Sequence, residues 1–330
     1  VKTRAEAQAA VDKIIEYENM PSARWKKRFL FISGGLDETE QRLFRQQSMK
    51  LADDFIRTTP TFGDAIFISK GTNEAAADER SLILDAINTG TLWTNFIGHA
   101  ASRTWELMFN NPDIEELANK GRYPFISSMT CHTGRFGEPT QDSFGEAFLL
   151  APQKGAIGFL GTSGWGYSYE DYLYLRQLYP KVLTDSLRCM GDIITLTKFD
   201  LWGRYGGGDH IQNLILQYNL LGDPALRLGL PLEPDLALES QDIKVNPSVP
   251  SEADSTAEII VHMQNWGLAV QDSIDLLLEI EQQVTKKQLT QRLTAPPVVD
   301  SLICTWPLRD MAGPVEIRVT LDPDDKIKES

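Results

Sequence analysis

The feature that most constrains the fold is an alternation of short, wholly apolar runs with longer segments of helical spacing. The first run, Phe29-Leu30-Phe31-Ile32, is closed by Gly34-Gly35, and an apolar run bounded by glycines predicts a buried parallel strand. Further strands are predicted at 65–68, 92–97, 125–129 and 156–160. Helices are predicted at 4–18, 39–57, 74–88, 112–120, 141–150, 170–200 and 210–222. This order predicts an α/β fold of three layers, with a mostly parallel sheet covered by helices on both faces.

The pattern changes after Leu228. The stretch 229–234, Gly-Leu-Pro-Leu-Glu-Pro, has the composition of a linker, and beyond it apolar residues recur at every second position. This period is found in 259–263, 274–280 and 315–321. Several strands of this kind, separated by turn signals such as Asn265-Trp266-Gly267, predict a small β-sandwich. We therefore predict two domains, one over residues 1–230 and one over residues 235–330.

The charge balance excludes some partners. The chain has 32 basic and 46 acidic side chains, a net charge of −14, and such a field repels phosphate backbones, so we expect no nucleic-acid partner. The acidic residues are spread along the chain, which favours a solvated surface. The cluster Asp322, Asp324 and Asp325 lacks the spacing of a calcium loop, although a structural calcium ion stays an open alternative. No window approaches the roughly 20 apolar residues of a membrane-spanning helix, so no such segment is expected.

The three cysteines, Cys131, Cys189 and Cys304, lie far apart in the sequence and show no Cys-x-x-Cys spacing. This pattern argues against a zinc cage and against a disulfide framework, and we predict neither a metal site nor a cofactor. An odd count leaves at least one thiol free. Cys189 and Cys304 stand in apolar surroundings and are predicted to be core residues, which leaves Cys131 as the candidate reactive thiol.

Cys131 and a histidine both follow predicted strands. His99 comes directly after the strand at 92–97, and Cys131 after the strand at 125–129. In a parallel α/β sheet, functional residues gather at the carboxyl ends of strands, so both side chains open into one crevice if these strands are neighbours. A nearby imidazole raises the thiolate fraction of a cysteine and can protonate a leaving amine. Either residue alone is more simply a core residue; their pairing at successive strand ends favours a Cys–His dyad.

Neighbouring residues are assigned supporting roles. The backbone N–H groups of Ala100 and Cys131 are predicted to form an oxyanion hole. His132 follows Cys131 directly and would point to the opposite face of an extended strand end, so it is predicted to be a support residue rather than the base. Asp37, with Glu40 three residues later, has the spacing of a helix capping box.

The sequence also resembles the gingipain-type cysteine peptidases, which share the caspase-like fold. The strand ending Phe96-Ile97-Gly98-His99-Ala100 and the strand ending Ser127-Ser128-Met129-Thr130-Cys131 resemble the two catalytic strand tips of that family. Further similar segments are Ser143-Phe144-Gly145-Glu146-Ala147-Phe148, 155–163, Asn219-Leu220-Leu221-Gly222-Asp223-Pro224 and the opening helix around 12–18. The resemblance spans roughly residues 4–228. One departure is Ala100, which stands where the family commonly has glycine.

The resemblance implies a caspase-like αβα domain followed by an immunoglobulin-like β-sandwich. It implies an endopeptidase that cleaves protein or peptide substrates through a thioester on Cys131, with Asp37 as the acid that orients His99. It implies that Trp165, Tyr167 and Ser163 wall the substrate pocket, although ordinary aromatic packing explains the two rings equally well. It also implies an extracellular or cell-surface location. A sortase-like transpeptidase and a catalytically silent surface or adhesion module remain alternatives, and the sequence does not specify the oligomeric state.

Overall fold

The computed structural model describes residues 1–71, 79–251, 253–270, 272–282, 285–294, 299–308 and 313–329. The chain divides into two compact units. The first comprises residues 1–58 and 63–230, and the second comprises residues 59–62 and 231–330. The change of unit after residue 230 falls within the linker-like stretch of the sequence.

A six-stranded sheet forms the centre of the first unit, in the order β2-β1-β3-β7-β8-β9. The strands of this unit are β1 Arg28–Ser33, β2 Asp64–Ser69, β3 Trp93–Ile97, β4 Ala100–Ala101, β5 Thr104–Trp105, β6 Phe109–Asn110, β7 Phe125–Met129, β8 Gly158–Thr162 and β9 Tyr218–Leu221. The pairs from β2 through to β8 are parallel, and β9 joins β8 in the antiparallel direction at the edge.

Helices cover both faces of this sheet. They are α1 Arg4–Glu18, α2 Glu38–Leu51, α3 Glu79–Thr89, α4 Asn111–Ile114, α5 Phe144–Leu150, α6 Ser168–Leu183, α7 Met190–Tyr205 and α8 Asp209–Gln217, with a π-helical extension of α2 over Ala52–Ile56 and a 3-10 turn over Arg24–Lys27. Strand β1 shows why its sequence is apolar throughout. Phe29 and Phe31 belong to the core on one face, whereas Leu30 and Ile32 belong to the core on the other. The predicted three-layer α/β fold is confirmed for this unit.

Some predicted helices are wrong in their extent. The segment 112–120 contains only the single turn α4, because Asn88 Oδ1 accepts the Ala118 N–H and so takes up a backbone group that a longer helix would use. The segment 170–200 is broken between α6 and α7, where Ser186 adopts a left-handed backbone with φ +57°. The segment 210–222 is helical only to Gln217, because the chain then pairs with β8 as β9. Of the predicted helix 74–88, residues 74–78 lie outside the described residues.

A small antiparallel sheet, β4-β5-β6, follows the end of β3. Its anchor is Trp105, which is fully buried and stacks on Phe96 with the ring centroids 4.9 Å apart. The indole Nε1 donates to Ser128 Oγ at 2.8 Å, which ties the hairpin to β7. The residues immediately after β3 are therefore held against the sheet rather than free in a loop.

Lys13 connects α1 to α5 and to the segment that follows α5. The side chain is 2% exposed, and its Nζ donates to the carbonyl oxygens of Phe148, Lys154 and Ala156 at 3.4, 3.1 and 2.9 Å. Burial lowers the pKa of this ammonium group to about 7.

The second unit contains two antiparallel sheets. One has the order β10-β12-β11 with β15 also paired to β12, and the other has the order β14-β13-β16. Their bounds are β10 Leu236–Ala237, β11 Ile243–Asn246, β12 Thr256–Asn265, β13 Ser273–Gln282, β14 Thr285–Thr294, β15 Val299–Pro307 and β16 Glu316–Leu321, with a 3-10 turn at Ser240–Asp242. Inward-facing side chains of β12, β13 and β15 share one core, which includes Cys304. The period-two segments of the sequence lie in β12, β13 and β16.

Candidate active site

The two candidate reactive residues follow neighbouring strands of the central sheet. Strands β3 and β7 pair in parallel, with Ile97 opposite Met129. His99 and Cys131 each lie two residues beyond this last pair, and paired strands are about 4.8 Å apart. The structure therefore brings both residues to the same carboxyl edge of the sheet, as the sequence predicted for neighbouring strands.

The imidazole of His99 is oriented by a carboxylate on α2. Its Nε2 lies 3.0 Å from Glu40 Oε2, and the same oxygen accepts the Leu36 N–H at 2.9 Å. The ring also meets the edge of Phe44, with centroids 6.1 Å apart. Because Nε2 is engaged with Glu40, Nδ1 is the ring nitrogen that can exchange a proton with a thiol or a substrate.

The structure corrects the assignment of Asp37 as the orienting acid. Asp37 is the N-cap of α2, and its Oδ1 accepts the Thr39 and Glu40 N–H groups at 2.8 and 3.0 Å. The acid on the ring is Glu40, one helical turn further on. The sequence spacing of a capping box contained Glu40, but its carboxylate binds Leu36 and His99 rather than the N–H of Asp37.

The backbone of His99 has a separate partner. Its N–H donates to Glu106 Oε1 at 3.1 Å, so this amide is not available to a substrate oxygen. The next amide along the chain, that of Ala100 at the start of β4, lies directly after the candidate base. Sequence reasoning did not identify Glu106, since no local pattern links residue 106 to residue 99.

The thiol of Cys131 is half-buried and lies against Gly166, in the loop after β8. Its Sγ accepts the Gly166 N–H at 3.3 Å and faces the Gly166 carbonyl oxygen at 3.6 Å. Burial raises the pKa of the Cys131 thiol, the Gly166 N–H lowers it, and the nearby charge of Asp171 raises it. The thiol therefore needs a base, or a change in its surroundings, to become a thiolate near neutral pH.

Asp171 is a second residue near this site that sequence reasoning missed. It lies in the first turn of α6, is 2% exposed, and its Oδ1 accepts the Tyr218 hydroxyl at 2.7 Å. Burial raises the pKa of this carboxyl group to about 7, against the lowering effect of its hydrogen bonds. Acidic residues are common in the first turn of any helix, so no local pattern indicates that this one is buried.

Aromatic side chains flank the thiol on the β8 side. Trp165 is 64% exposed and Tyr167 is 49% exposed. The edge of His132 meets Trp165 with ring centroids 4.7 Å apart, and Tyr167 meets His210 at 6.1 Å. Exposed rings beside a reactive group are available to contact a ligand.

Ser163 is held within the protein. Its N–H and its hydroxyl both donate to the Gln217 carbonyl oxygen, at 2.9 and 3.3 Å, and the Asn219 side chain donates to its Oγ. The residue joins the end of β8 to the start of β9. Its hydroxyl therefore fixes the wall of the site and is already occupied by protein partners.

The described residues contain no group of three or more His, Cys, Asp or Glu side chains arranged to hold a metal ion. Within the same residues, no helix is both long and apolar enough to cross a membrane. The chemistry that this site can carry out with its own groups is nucleophilic attack by a thiol, assisted by an imidazole and a carboxylate.

Comparisons with known proteins agree with this fold. A Lys-gingipain of Porphyromonas gingivalis is 26% identical over 168 residues, which are 50% of this chain and 9% of that protein. The structure of gingipain R, an Arg-specific cysteine proteinase, superposes with a TM-score of 0.59 at 15% identity, covering 93% of this chain and 73% of that one. A second solved structure, described only as a protease, gives a TM-score of 0.60 at 17% identity, covering 97% and 73% of the two chains.

The family match and the similarity to Lys-gingipain place this chain in the class of cysteine-type peptidases. Residues 1–229 match the model of Peptidase family C25, and the chain belongs to that family. The resemblance to gingipain-type peptidases inferred from the sequence is thereby confirmed. The chain matches 9% of the length of the Lys-gingipains, so it corresponds to a small part of those proteins.

Proposed function

We propose that this chain is a cysteine endopeptidase that hydrolyses peptide bonds through Cys131 and His99. The observation that carries the proposal is the register of β3 and β7, which sets both residues two positions beyond a paired strand end. The carboxylate of Glu40 on His99 Nε2 supports the proposal, because an oriented imidazole is what a thiol nucleophile requires.

The reaction runs in two halves. His99 Nδ1 takes the thiol proton, Cys131 Sγ attacks the carbonyl carbon, and the C–N bond breaks as the imidazolium returns the proton to the leaving amine. A thioester on Cys131 results. Water, deprotonated by the same imidazole, then attacks the thioester carbonyl; the C–S bond breaks, the acid product leaves, and the imidazolium returns its proton to Cys131 Sγ. Glu40 stabilises the imidazolium in both halves.

The oxyanion formed in each half is assigned to two backbone amides, those of Cys131 and Ala100. Support for Ala100 comes from the neighbouring amide of His99, which already donates to Glu106. Removing one donor from an oxyanion hole typically reduces kcat by about 10²–10³-fold.

The substrate is proposed to be a protein or peptide whose side chain enters the region beside Trp165 and Tyr167. The exposed fraction of both rings supports this assignment. Ser163 supports the wall through its bonds to Gln217.

The second unit is proposed to be an immunoglobulin-like domain, and the chain is proposed to act outside the cell or at its surface. Two antiparallel sheets around a shared core support the first part. Membership of the C25 family supports the second.

The experiment compares casein and peptide-library hydrolysis by the unaltered chain with that by Cys131→Ala and Cys189→Ser. Cys189 was predicted to be a core residue, but its thiol is partly exposed in the same unit, and it is therefore the matched control. We expect Cys131→Ala to abolish hydrolysis and Cys189→Ser to retain it. Hydrolysis that persists in Cys131→Ala would end the proposal.

Two further readouts separate the alternatives. Products joined to an added amine nucleophile would indicate a transpeptidase. A folded chain whose Cys131 resists iodoacetamide while Cys189 reacts would indicate a silent module.

A further inference from the structure

Glu106 has two features that are each unfavourable for the free energy of folding. It lies in the turn between β5 and β6 with a left-handed backbone, φ +50°, and its charged side chain is only 4% exposed. The next residue, Leu107, is 96% exposed. A buried carboxylate on an unfavourable backbone conformation persists only where its contacts compensate for both.

The Glu106 carboxylate accepts three hydrogen bonds from three different loops. Its Oε1 accepts the Gly35 N–H at 2.6 Å and the His99 N–H at 3.1 Å, and its Oε2 accepts Lys70 Nζ at 2.5 Å. Gly35 follows β1, His99 follows β3, and Lys70 follows β2. One side chain thus binds the carboxyl ends of three neighbouring strands together.

Glycines leave the space that this carboxylate occupies. A Cβ atom on Gly34 would stand 2.1 Å from Glu106 Oε1, and one on Gly98 would stand 3.1 Å from the same atom. Both glycines therefore allow the backbone to approach the carboxylate closely.

Through these contacts Glu106 supports both the backbone and the side chain of the candidate base, His99. Glu106 binds the main chain of His99 directly, and through Gly35 it binds the segment whose next amide, Leu36 N–H, donates to Glu40. Glu40 in turn holds the His99 ring. Both the backbone and the side-chain support of the imidazole thus depend on one carboxylate.

The turn itself does not need the charge. It is anchored by Trp105, through the indole bond to Ser128, and by Thr104 Oγ1, which donates to the Phe109 carbonyl oxygen at 3.0 Å. The carboxylate of Glu106 is therefore an addition to a hairpin that other residues already secure.

We propose that Glu106, with its charge balanced by Lys70, is a positioning residue for His99, an inference that rests on the proposed function of the Cys131–His99 dyad. It fixes the backbone of His99, and it fixes the loop whose Leu36 N–H donates to Glu40. The imidazole is therefore held in place before a substrate binds. It does not contact the reacting atoms.

The test uses Glu106→Gln, Glu106→Gly, Lys70→Met and the double variant Glu106→Gln with Lys70→Met, and Leu107→Ser serves as the exposed neighbouring control. Glu106→Gln keeps one oxygen for Gly35 and His99 but turns an amide NH₂ toward the Lys70 ammonium. We expect kcat to fall about tenfold or more with KM changed less than about twofold, because the loss is one of geometry at the reacting centre. The double variant should recover most of kcat, since the repulsion is gone.

Glu106→Gly separates the effect of losing the carboxylate from the effect of losing the fold. A left-handed backbone suits glycine, so this variant should stay folded by circular dichroism while losing the carboxylate. Unchanged kcat in both Glu106→Gln and Glu106→Gly would overturn the proposal. So would losses in kcat that the double variant fails to reverse and that follow the melting temperature alone.

A readout without catalysis separates this inference from the proposed function. The rate at which diethyl pyrocarbonate modifies His99, measured by peptide mapping, should rise in Glu106→Gln and Glu106→Gly and stay constant in Leu107→Ser. A protein that hydrolyses no peptide but shows this change would refute the proposed function and retain the positioning role. A constant rate in all variants would refute the positioning role.

Discussion

A buried acidic side chain lies near each of the loops that carry His99 and Cys131, and the two acids have different partners. On the histidine side, the Glu106 carboxylate is paired with Lys70 and accepts two backbone N–H groups. On the cysteine side, the Asp171 carboxylate accepts a tyrosine hydroxyl, and Glu170 lies nearby to raise its pKa further. The first arrangement stabilises a charge and fixes a backbone. The second leaves a carboxyl group that changes its charge near neutral pH, beside the thiol.

This difference assigns distinct tasks to the two loops. The proposed base lies beside an ion pair whose charges balance, whereas the proposed nucleophile lies in surroundings that disfavour its own ionisation and that respond to pH. Variants of the two sides should therefore differ in kind: rate losses on the histidine side, and pH-dependent changes on the cysteine side.

The largest expected effect is that of His99→Ala. Because His99 is the proposed base for the Cys131 thiol, kcat/KM for a peptide substrate should fall by about 10⁴-fold or more. Iodoacetamide labelling of Cys131 should also slow at pH 7. His132→Ala is the paired comparison, and an equal loss there would mean that the two histidines share the task.

The next effect distinguishes Glu40 from Asp37. Glu40→Gln should lower kcat by about 10–100-fold, because the imidazole loses the carboxylate that orients it and stabilises its cation. Asp37→Ala should instead lower the free energy of unfolding by about 1 kcal/mol through the lost helix cap, with little change in kcat. Steady-state kinetics and urea unfolding of both variants provide the measurement. The opposite pattern would restore Asp37 as the orienting acid.

A smaller effect is expected in the pH dependence of stability, and the pKa of Asp171 sets its direction. Its pKa is raised to about 7 in the folded chain, so the native state holds a proton that the unfolded state loses above the usual aspartate range near 4. Stability therefore falls as the pH rises from about 4 to 7 and stays low above it. Asp171→Asn should melt at the same temperature as the unaltered chain at pH 4 and at a higher temperature at pH 8.

The same variant should also alter the thiol. Because the charge of Asp171 raises the pKa of Cys131, Asp171→Asn should speed alkylation of Cys131 at pH 8, by less than about tenfold. Asp85→Asn, which changes an exposed carboxylate on α3, is the control for both measurements. Equal melting temperatures at pH 8 would show that Asp171 is not the titrating group.

The smallest effect is expected at Trp165, in the proposed substrate site. Trp165→Ala should raise KM by about threefold to tenfold and leave the melting temperature unchanged, because the ring is mostly exposed. Phe199→Ala removes another exposed ring, on α7 rather than in the loop that contacts the thiol, and should leave KM unchanged. Equal effects of the two variants would remove Trp165 from the substrate site.

The sequence predicted the central sheet well because its strands are buried on both faces. A run such as residues 29–32 is apolar throughout for that reason, and its length and flanking glycines mark it as a strand. The predicted places of His99 and Cys131 followed from the same strands. Strand β9 was missed, because Tyr218–Leu221 continues the apolar pattern of α8 and only its pairing with β8 defines it.

The acidic residues of the site could not be predicted from local sequence patterns. Asp37 and Glu40 share one capping pattern, and only the position of the His99 ring shows which carboxylate reaches it. Glu106 contacts Gly35, which is 71 residues away, and Asp171 contacts Tyr218, which is 47 residues away. Such pairs are set by the packing of the whole sheet, so no spacing in the sequence indicates them.

The buried Lys13 sets a limit on how far the amino end of this unit can be trimmed by proteolysis. Cleavage before residue 13 removes part of α1 but leaves the ammonium group on its three carbonyl oxygens. Cleavage just after it would remove this side chain: the Phe148 oxygen would keep the Ala156 N–H at 3.0 Å, but the buried Ala156 oxygen would lose its Lys13 donor, at a cost of about 1–3 kcal/mol. Limited digestion should therefore yield a stable fragment whose first residue precedes Lys13, and shorter fragments should be degraded.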